Sequence, residues 1–409
     1  MPGGEQEPPP PDVMLDRLLP LLPAIGATRL SVVSGLDVLG IPVAQVCRPL
    51  SRSMSVSQGK GFSLAEAKVS AIGEAMESWH AERIGHPLWY GGWTEVSAEA
   101  PVVDVTRLAR PAHSVFHADA PLLWIEGRDL VGGANVLLPL ETVHLDHRLP
   151  RVPGSGCFLN TSTGLAVGAS VLGALRHALA EVVERDAMAL WNLRPDDERV
   201  RRRIDLASVG DDGCAELLAR FGRAGVAVAA WDLTTDVGVA TVKVTAVDQG
   251  ADADRRLPTA TGYGCHPRRA GALARALLEA AQSRVTLIAG SRDDHPPARD
   301  RAGRDPWSID NHRRAVEDDR SEWPFDALPD AGPLDQAGAV VLLLDRLRAA
   351  GSGHPVMVDL TRREIGIPVV RVVVPGTEMP SRALAPAALG ERGRAALVAA
   401  TDRERAGVT

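Results

Sequence analysis

Cysteine is scarce in this sequence. Only Cys47, Cys157, Cys214 and Cys265 occur among 409 residues, and they lie far apart. No CxxC pair and no HExxH motif accompanies them, so the spacing of a zinc site is missing. Reduced, mostly buried thiols are the expectation, and with them a cytoplasmic protein. Long apolar runs are absent too, since none reaches the ~18 residues that a membrane helix needs. The opening "MPGGEQEPPPPD" has no basic region followed by an apolar core, which excludes a secretory signal. Its proline and glycine predict a disordered lead-in within residues 1–25, with a short amphipathic helix over 13–24. The formal charge is −7, and no basic stripe with interleaved aromatics stands out, which argues against nucleic acid as the main partner. What is present is the composition of a globular chain, 45% hydrophobic and 24% charged, long enough for one large domain or two ordinary ones.

Along the chain, "GIPVAQVCRPL" and "SRSMSVSQGKG" read as two strands joined by a turn, from their β-branched content and the breaker Pro49. A helix follows. Ser63 is its expected N-cap, with Glu66 three residues on as a capping box, and Ala67, Ala71, Ala75 and Ser78 recur at helical spacing. Residues 84–155 mix short strands with proline and glycine turns. A long helix starts near Ser170 in "LAVGASVLGALRHALAEVVERDAMALWN". "AVAAWDL" and "VATVKVTAVD" look like adjacent strands, followed by the turn-rich "QGADADRRLPTATGYG" and a third helix over 269–289. Residues 291–335 are charged and proline-rich, and are expected to form a long mobile loop or lid. A helix near 336–350, strands "PVMVDL" and "PVVRVVV", and a helical tail over 386–409 complete the reading. The fold class is mixed α+β, with a main domain over 26–385.

Two of these helices carry glutamates three apart: Glu74 and Glu77 in "GEAMESWHAE", and Glu181 and Glu184 in "AEVVERDAMALW". Positions i and i+3 share a helix face. The surrounding faces are alanine, valine and leucine, so four converging carboxylates would repel one another and need cations to coexist. Magnesium suits them, being a hard ion that bridges carboxylates to phosphates. A lone ExxE is usually a solvated pair. Here each pair follows a small-residue segment, "SQGKG" or "NTSTGLAVG", whose backbone N–H groups can approach a ligand closely. The two segments read as a degenerate internal duplication of strand, loop and helix. This is no Walker A loop: Lys60 is followed by Gly61, and position 54, where the first glycine belongs, is Met. The third helix adds Glu279, Gln282 and Arg284. Arg284 and Arg185 fit either the surface or a phosphate. Arg371 lies mid-way along an apolar strand, where a buried guanidinium needs partners.

In this order the residues resemble the YcaO family. The matching pieces are "SQGKGFSLAEAKVSAIGEAMES", "NTSTGLAVGASVLGALRHALAEVVERDAMALW", "ALLEAAQSR" and "VDLTRREIGIPVVRVVVPGTE", spanning residues 57–378. The opening "SGLDVLGIPVAQVCRPLSRSMSVSQGKG" is similar to the branch that works with a TfuA-type partner. The resemblance implies a YcaO-like fold of two pseudo-repeated halves around a central ATP and Mg2+ site. It also implies ATP-dependent O-phosphorylation of a peptide backbone amide. By position, Glu74, Glu77, Glu181 and Glu184 would be the magnesium ligands. Arg185 and Arg284 would face the phosphates with Gln282 nearby, as the catalytic set. Asn160, Ser162 and Gly164 would line the nucleotide pocket, and Lys60 sits at a motif position.

Within that resemblance the product stays open. External sulfide gives a thioamide, a substrate Cys, Ser or Thr an azoline, and an amine an amidine. Azoline-forming members commonly end in a PxPxP tail, whereas this sequence ends "VAATDRERAGVT". That favours thioamide formation in a ribosomally made precursor peptide, with a sulfide donor, a TfuA-like partner protein and a homodimeric enzyme as expected associates. A non-catalytic accessory protein that binds nucleotide or peptide is the reading from a different class.

Overall fold

The computed structural model describes residues 8–249, 259–291, 313–318, 323–380 and 389–407, the last five of these as backbone. The chain starts its first helix, α1 (Pro11–Leu18), on a proline whose fixed φ suits a first helical position. It is shorter than the helix expected over 13–24. Pro20 has no N–H to continue the helical ladder, and Leu19–Leu21 tightens into a 3-10 turn.

Strands β1 (Arg29–Val32), β2 (Val43–Cys47) and β3 (Val56–Lys60) then form an antiparallel meander, and β3 feeds α2 (Leu64–Ala81). Ser63 caps this helix, its hydroxyl accepting from the Glu66 N–H at 3.1 Å. The carboxylate of Glu66 reaches back to the N–H of Phe62 at 2.6 Å, not to that of Ser63. The reciprocal half of the expected capping box is therefore shifted by one residue. Ala67, Ala71 and Ala75 are buried, and pack with Ile72 and Met76 against Ala44 and Val46 of the meander.

Next come β4 (Leu88–Gly91), α3 (Trp93–Glu99), β5 (Leu122–Asp129), β6 (Asn135–Pro139) and β7 (Leu165–Val167). They lead into α4 (Val171–Trp191), capped by Ser170, whose hydroxyl accepts from the Gly173 N–H at 3.1 Å. After α5 (Asp196–Arg201), β8 (Ile204–Asp205) and α6 (Asp212–Arg223), a second antiparallel meander follows. Its strands are β9 (Val226–Asp232), β10 (Thr241–Asp248) and β11 (Ala260–Cys265), and it feeds α7 (Arg269–Ala289). β12 (Trp323–Pro324), α8 (Gln336–Ala349), β13 (Val356–Asp359), β14 (Val369–Val373) and α9 (Glu391–Gly407) complete the order.

The larger sheet runs β4-β5-β13-β14-β7, with β6 paired to β5, and is antiparallel throughout. Helices α4 and α8 pack on it through Leu179, Val183, Leu343 and Val370. The fold is thus mixed α+β, with each meander-helix unit flanking this central layer. Cys157, Cys214 and Cys265 are buried, Cys47 is half-buried, and all four are free thiols. No helix among the described residues is long and apolar enough to cross a membrane.

Two expectations change. The glycine-rich "ATGYGC" is strand β11, not part of a turn. Its glycines serve close packing: a Cβ on Gly262 would lie 2.2 Å from the carbonyl oxygen of Ala276 and the nitrogen of Ala280 on α7. Of the loop expected over 291–335, residues 292–312 and 319–322 fall outside the described residues. Trp323–Pro324, by contrast, pairs in parallel with β8, and Phe325 and Leu328 are buried in the core beneath α7. That end of the segment is fixed to the body of the protein.

The β11–α7 contact generates a stability prediction. Gly262→Ala forces strand and helix backbones apart and should cost about 2 kcal/mol or more in urea unfolding. Gly35→Ala, whose added methyl meets open space, should change stability little.

Candidate active site

Helices α2, α4 and α7 present one face each to a single cavity of about 1010 Å³. On α2 the lining acids include Glu74 and Glu77, on α4 they are Glu181 and Glu184 with His177 one turn earlier, and on α7 Glu279 with Arg275 one turn earlier and Gln282 one turn later. These positions are three or four residues apart on each helix, so each set forms a stripe. Lys60, from the end of β3, and Arg185 enter the same space.

Four of these carboxylates are fixed by a donor from a neighbouring element, and Glu184 lies beside Arg185 of its own helix. Glu74 accepts from the backbone N–H of Gln58 at 3.4 Å and Glu77 from that of Val167 at 2.8 Å. Glu181 accepts from the N–H of Gly164 at 3.1 Å. That residue has to be glycine: its φ is +79°, and a Cβ would lie 2.2 Å from the carbonyl oxygen of Val372. Glu279 ion-pairs with Lys60 at 2.8 Å. Arg185 lies 3.5 Å from Glu181 and 3.9 Å from Glu184. The amide nitrogen of Gln282 donates to the Gln58 carbonyl at 3.3 Å, tying α7 back to β3.

The electrostatics follow from this crowding. Burial, then the charge of Glu279, pushes the Glu184 carboxyl up to about 7. Burial raises Glu77 well above the usual carboxylate range, reinforced by Glu181 and Glu74, and it raises Glu181 as well. Glu279 goes the other way. Burial opposes its charge, but Lys60 and Arg185 outweigh that and hold it below the ordinary value. Burial also opposes the charge on Arg185, yet Glu181, Glu184 and Glu279 together raise its pKa. Burial, with Arg275 and Arg176 nearby, pushes His177 down to about 3, so its ring is neutral near pH 7.

These residues fit a metal-bound polyphosphate. Among the described residues no three His, Cys, Asp or Glu side chains already form a metal cage. Instead the acids are spread around a shared space. That suits Mg2+, which keeps several waters and is held jointly by one or two carboxylates and the phosphates it accompanies. The cations Lys60, Arg185 and Arg275 stand among the acids, where a phosphate chain needs them.

Ser162 lines the cavity, while Gly164 acts from behind it through Glu181. Asn160 is not among the lining residues; its amide nitrogen donates to the carbonyls of Glu141 and His144, each at 2.8 Å. Arg284, expected at the phosphates, is only 2% exposed and turned away from the cavity. Asp37 takes two of its donors at 3.0 Å and Asp248 a third at 2.9 Å. The helical period explains this, because Arg284 is two residues past Gln282 and falls on another face of α7. Arg371 is buried in β14, donating to the carbonyls of Thr142 at 3.0 Å and Thr161 at 2.7 Å. It holds the segment that carries Ser162. Glu279 was not singled out as a ligand from sequence, although Glu279 and Gln282 repeat the i, i+3 spacing of the two acidic pairs.

Fold and cavity together define a mixed α+β protein with a carboxylate-lined, nucleotide-sized site. The family model described as "YcaO cyclodehydratase, ATP- and Mg2+-binding" matches residues 58–378, and the chain belongs to the YcaO family. Membership gives it an ATP-dependent activity of the cyclodehydratase type, with ATP and Mg2+ as cofactors. A Rhizobium leguminosarum bv. trifolii relative, named as an uncharacterized protein in the tfuA 3' region, is 37% identical over 88% of this chain and 86% of its own length. A Methanothermobacter thermautotrophicus protein is 34% identical over 92% and 95%. Among solved structures, YcaO from Methanopyrus kandleri bound with AMPPCP and Mg2+ shares the fold at TM-score 0.71, with 24% identity over 92% of this chain and 96% of that one. A heterocyclase in complex with substrate and cofactor gives TM-score 0.73 at 20% identity, over 90% of this chain and 52% of the other.

Two predictions follow from the site. Arg284→Ala leaves Asp37 buried without its partner and should cost about 3–5 kcal/mol of stability in chemical unfolding. Conservative rescue by Lys should be partial, because one ammonium cannot span both aspartates. The second concerns pH. The Glu184 carboxyl moves from its ordinary 4.5 to about 7 in the fold, so the unfolded chain loses this proton first as pH rises. Its contribution to stability is complete below about 4.5 and lost as pH climbs through about 7. In metal-free buffer Glu184→Gln should therefore be more stable relative to wild type at pH 8 than at pH 5, by about 2 kcal/mol. Mg2+ with a nucleotide should reverse that order at pH 8.

Proposed function

We propose that this protein activates a backbone amide of a ribosomally made precursor peptide, and that it forms a thioamide in concert with a TfuA-like partner. The convergence of acids from three helices with Lys60 and Arg185 in one cavity carries the amide-activation reading. The relative in the tfuA 3' region supports the thioamide branch of it. One of the structural neighbours, the Escherichia coli microcin synthetase McbBCD complex with pro-MccB17 bound, contains a propeptide, which is consistent with a polypeptide substrate here (TM-score 0.59).

In this reading Glu74, Glu77, Glu181 and Glu184 hold Mg2+, with Glu279 kept ionised beside them by Lys60. Arg185, Lys60 and Gln282 face the phosphates, and Ser162 borders the nucleotide. Bound Mg2+·ATP supplies the phosphoryl group that makes the poor leaving group of an amide, its oxygen, depart as phosphate. The chain's own contribution is positioning and charge neutralisation among side chains that are only partly exposed. Arg185 is held between two carboxylates before any ligand arrives, so little reorganisation is needed when charge develops. The raised carboxyls of Glu77 and Glu184 mean that metal binding displaces protons, so affinity for Mg2+·ATP rises with pH through the neutral range.

The test uses the full chain with ATP, Mg2+, a sulfide source, the TfuA-like partner and the precursor peptide encoded beside it. Exchange of one oxygen for one sulfur, read as intact mass, is the expected product. With ATP turnover established, loss of water without sulfur gain overturns the thioamide reading and points to azoline or amidine formation. Glu74→Gln and Glu184→Gln should each lower product formation by about a hundredfold or more. Retention of full activity by both would mean that these acids do not hold the metal.

A further inference from the structure

The acids of α4 face the cavity, but the residue after Arg185 does not. Asp186 is completely buried on the rear of the helix. Its carboxylate accepts from Nε and Nη2 of Arg392 at 3.2 and 3.1 Å, and from the N–H of Glu378 at 2.8 Å. Arg392 belongs to the first turn of α9, beyond the stretch matched by the family model. It is held in turn by Asp236, through Nη1 at 3.0 Å and Nη2 at 2.5 Å, and by the carbonyl of Ala350 at 3.2 Å. Glu378 completes the knot, its carboxylate accepting from the N–H groups of Gly390 and Gly393 at 2.9 and 2.8 Å. Five elements therefore meet behind α4: the helix itself, the segment after β14, the start of α9, the β9–β10 connection and the end of α8.

We propose that Arg392 is a positioning residue for the nucleotide site: α9 acts as a latch that fixes the register of α4 from behind, through Asp186, so that Glu184 and Arg185 point into the cavity. This rests on the assignment of Glu184 and Arg185 to that site. Continuity along one rigid helix couples the rear contact to the cavity. Asp186 follows directly on Arg185, and a buried carboxylate that loses its partner has to be rehydrated or find another cation. Arg185 is the cation next to it in sequence, and the last turns of α4 carry both. Either response rotates or loosens the turn that bears Glu184. Small displacements of positioning groups have large effects on bound polyphosphates and on reacting centres.

The experiment measures Mg2+-dependent binding of AMPPCP by calorimetry, beside thermal melting, on the full-length chain. Glu184→Gln is measured first and should weaken binding strongly. If it binds as wild type does, the nucleotide-site assignment fails, and the latch with it. With that assignment standing, Arg392→Ala should weaken AMPPCP binding by about tenfold at a temperature where the variant is fully folded. Arg392→Lys should restore part of the loss, and Arg394→Ala, two residues on and exposed, should bind as wild type does. If Arg392→Ala does not fold, Arg392→Lys decides alone: a measurable loss of affinity supports the latch and wild-type affinity overturns it. A folded Arg392→Ala with a lowered melting temperature and unchanged affinity shows a purely structural pair and overturns the proposal.

Discussion

Five of the six glutamates lining one cavity in this protein crowd together, and their mutual repulsion is the constraint around which the rest is arranged. Glu77 feels Glu181 and Glu74, and Glu184 feels Glu279 and Glu181, so they act as one electrostatic group. Such a group can be folded only if every member has a donor or a cation. The backbone N–H groups of Gln58, Val167 and Gly164 serve three of them. Lys60 and Arg185 serve the others. Apart from Arg185, which lies on α4 itself, those donors lie on or next to strands β3 and β7, which feed α2 and α4. The pairing of Glu77 with Val167 also joins the first unit to the central sheet.

The same constraint links folding to chemistry. Without metal, burial holds the carboxyls of Glu77, Glu181 and Glu184 above their ordinary range, and the site carries unrelieved charge once they ionise. A hard dication bound to an anionic phosphate chain relieves both at once. The site is therefore complementary to a charged complex and not to either ion alone. Arginines outside the cavity have a different task. Arg284, Arg371 and Arg392 each hold elements together behind the site, through aspartates or backbone carbonyls.

Much of this was legible in the sequence. The capped start of α2 at Ser63, the start of α4 near Ser170, the i, i+3 acids and the two small-residue segments all lie in local patterns that the fold preserves. Periodicity places Glu74 and Glu77 on one face, and geometry does the rest. What sequence could not supply was direction across elements. Arg284 follows Gln282 closely in the chain, yet its partner Asp37 lies 247 residues away, and no local pattern announces that triad. Glu279 was visible as an acid but lacked a second glutamate at i+3, where Gln282 stands. The strand at Ala260–Cys265 was hidden because glycine signals a turn by default and close packing only in three dimensions.

The most direct test of the account is a crystal structure of the full-length chain with Mn2+ in place of Mg2+ and bound AMPPCP, with anomalous scattering locating the metal. The account predicts metal density between the carboxylates of α2 and α4, with the phosphates beside Arg185 and Lys60. Metal and nucleotide bound at a different surface, with Glu74, Glu77, Glu181 and Glu184 untouched, would contradict it.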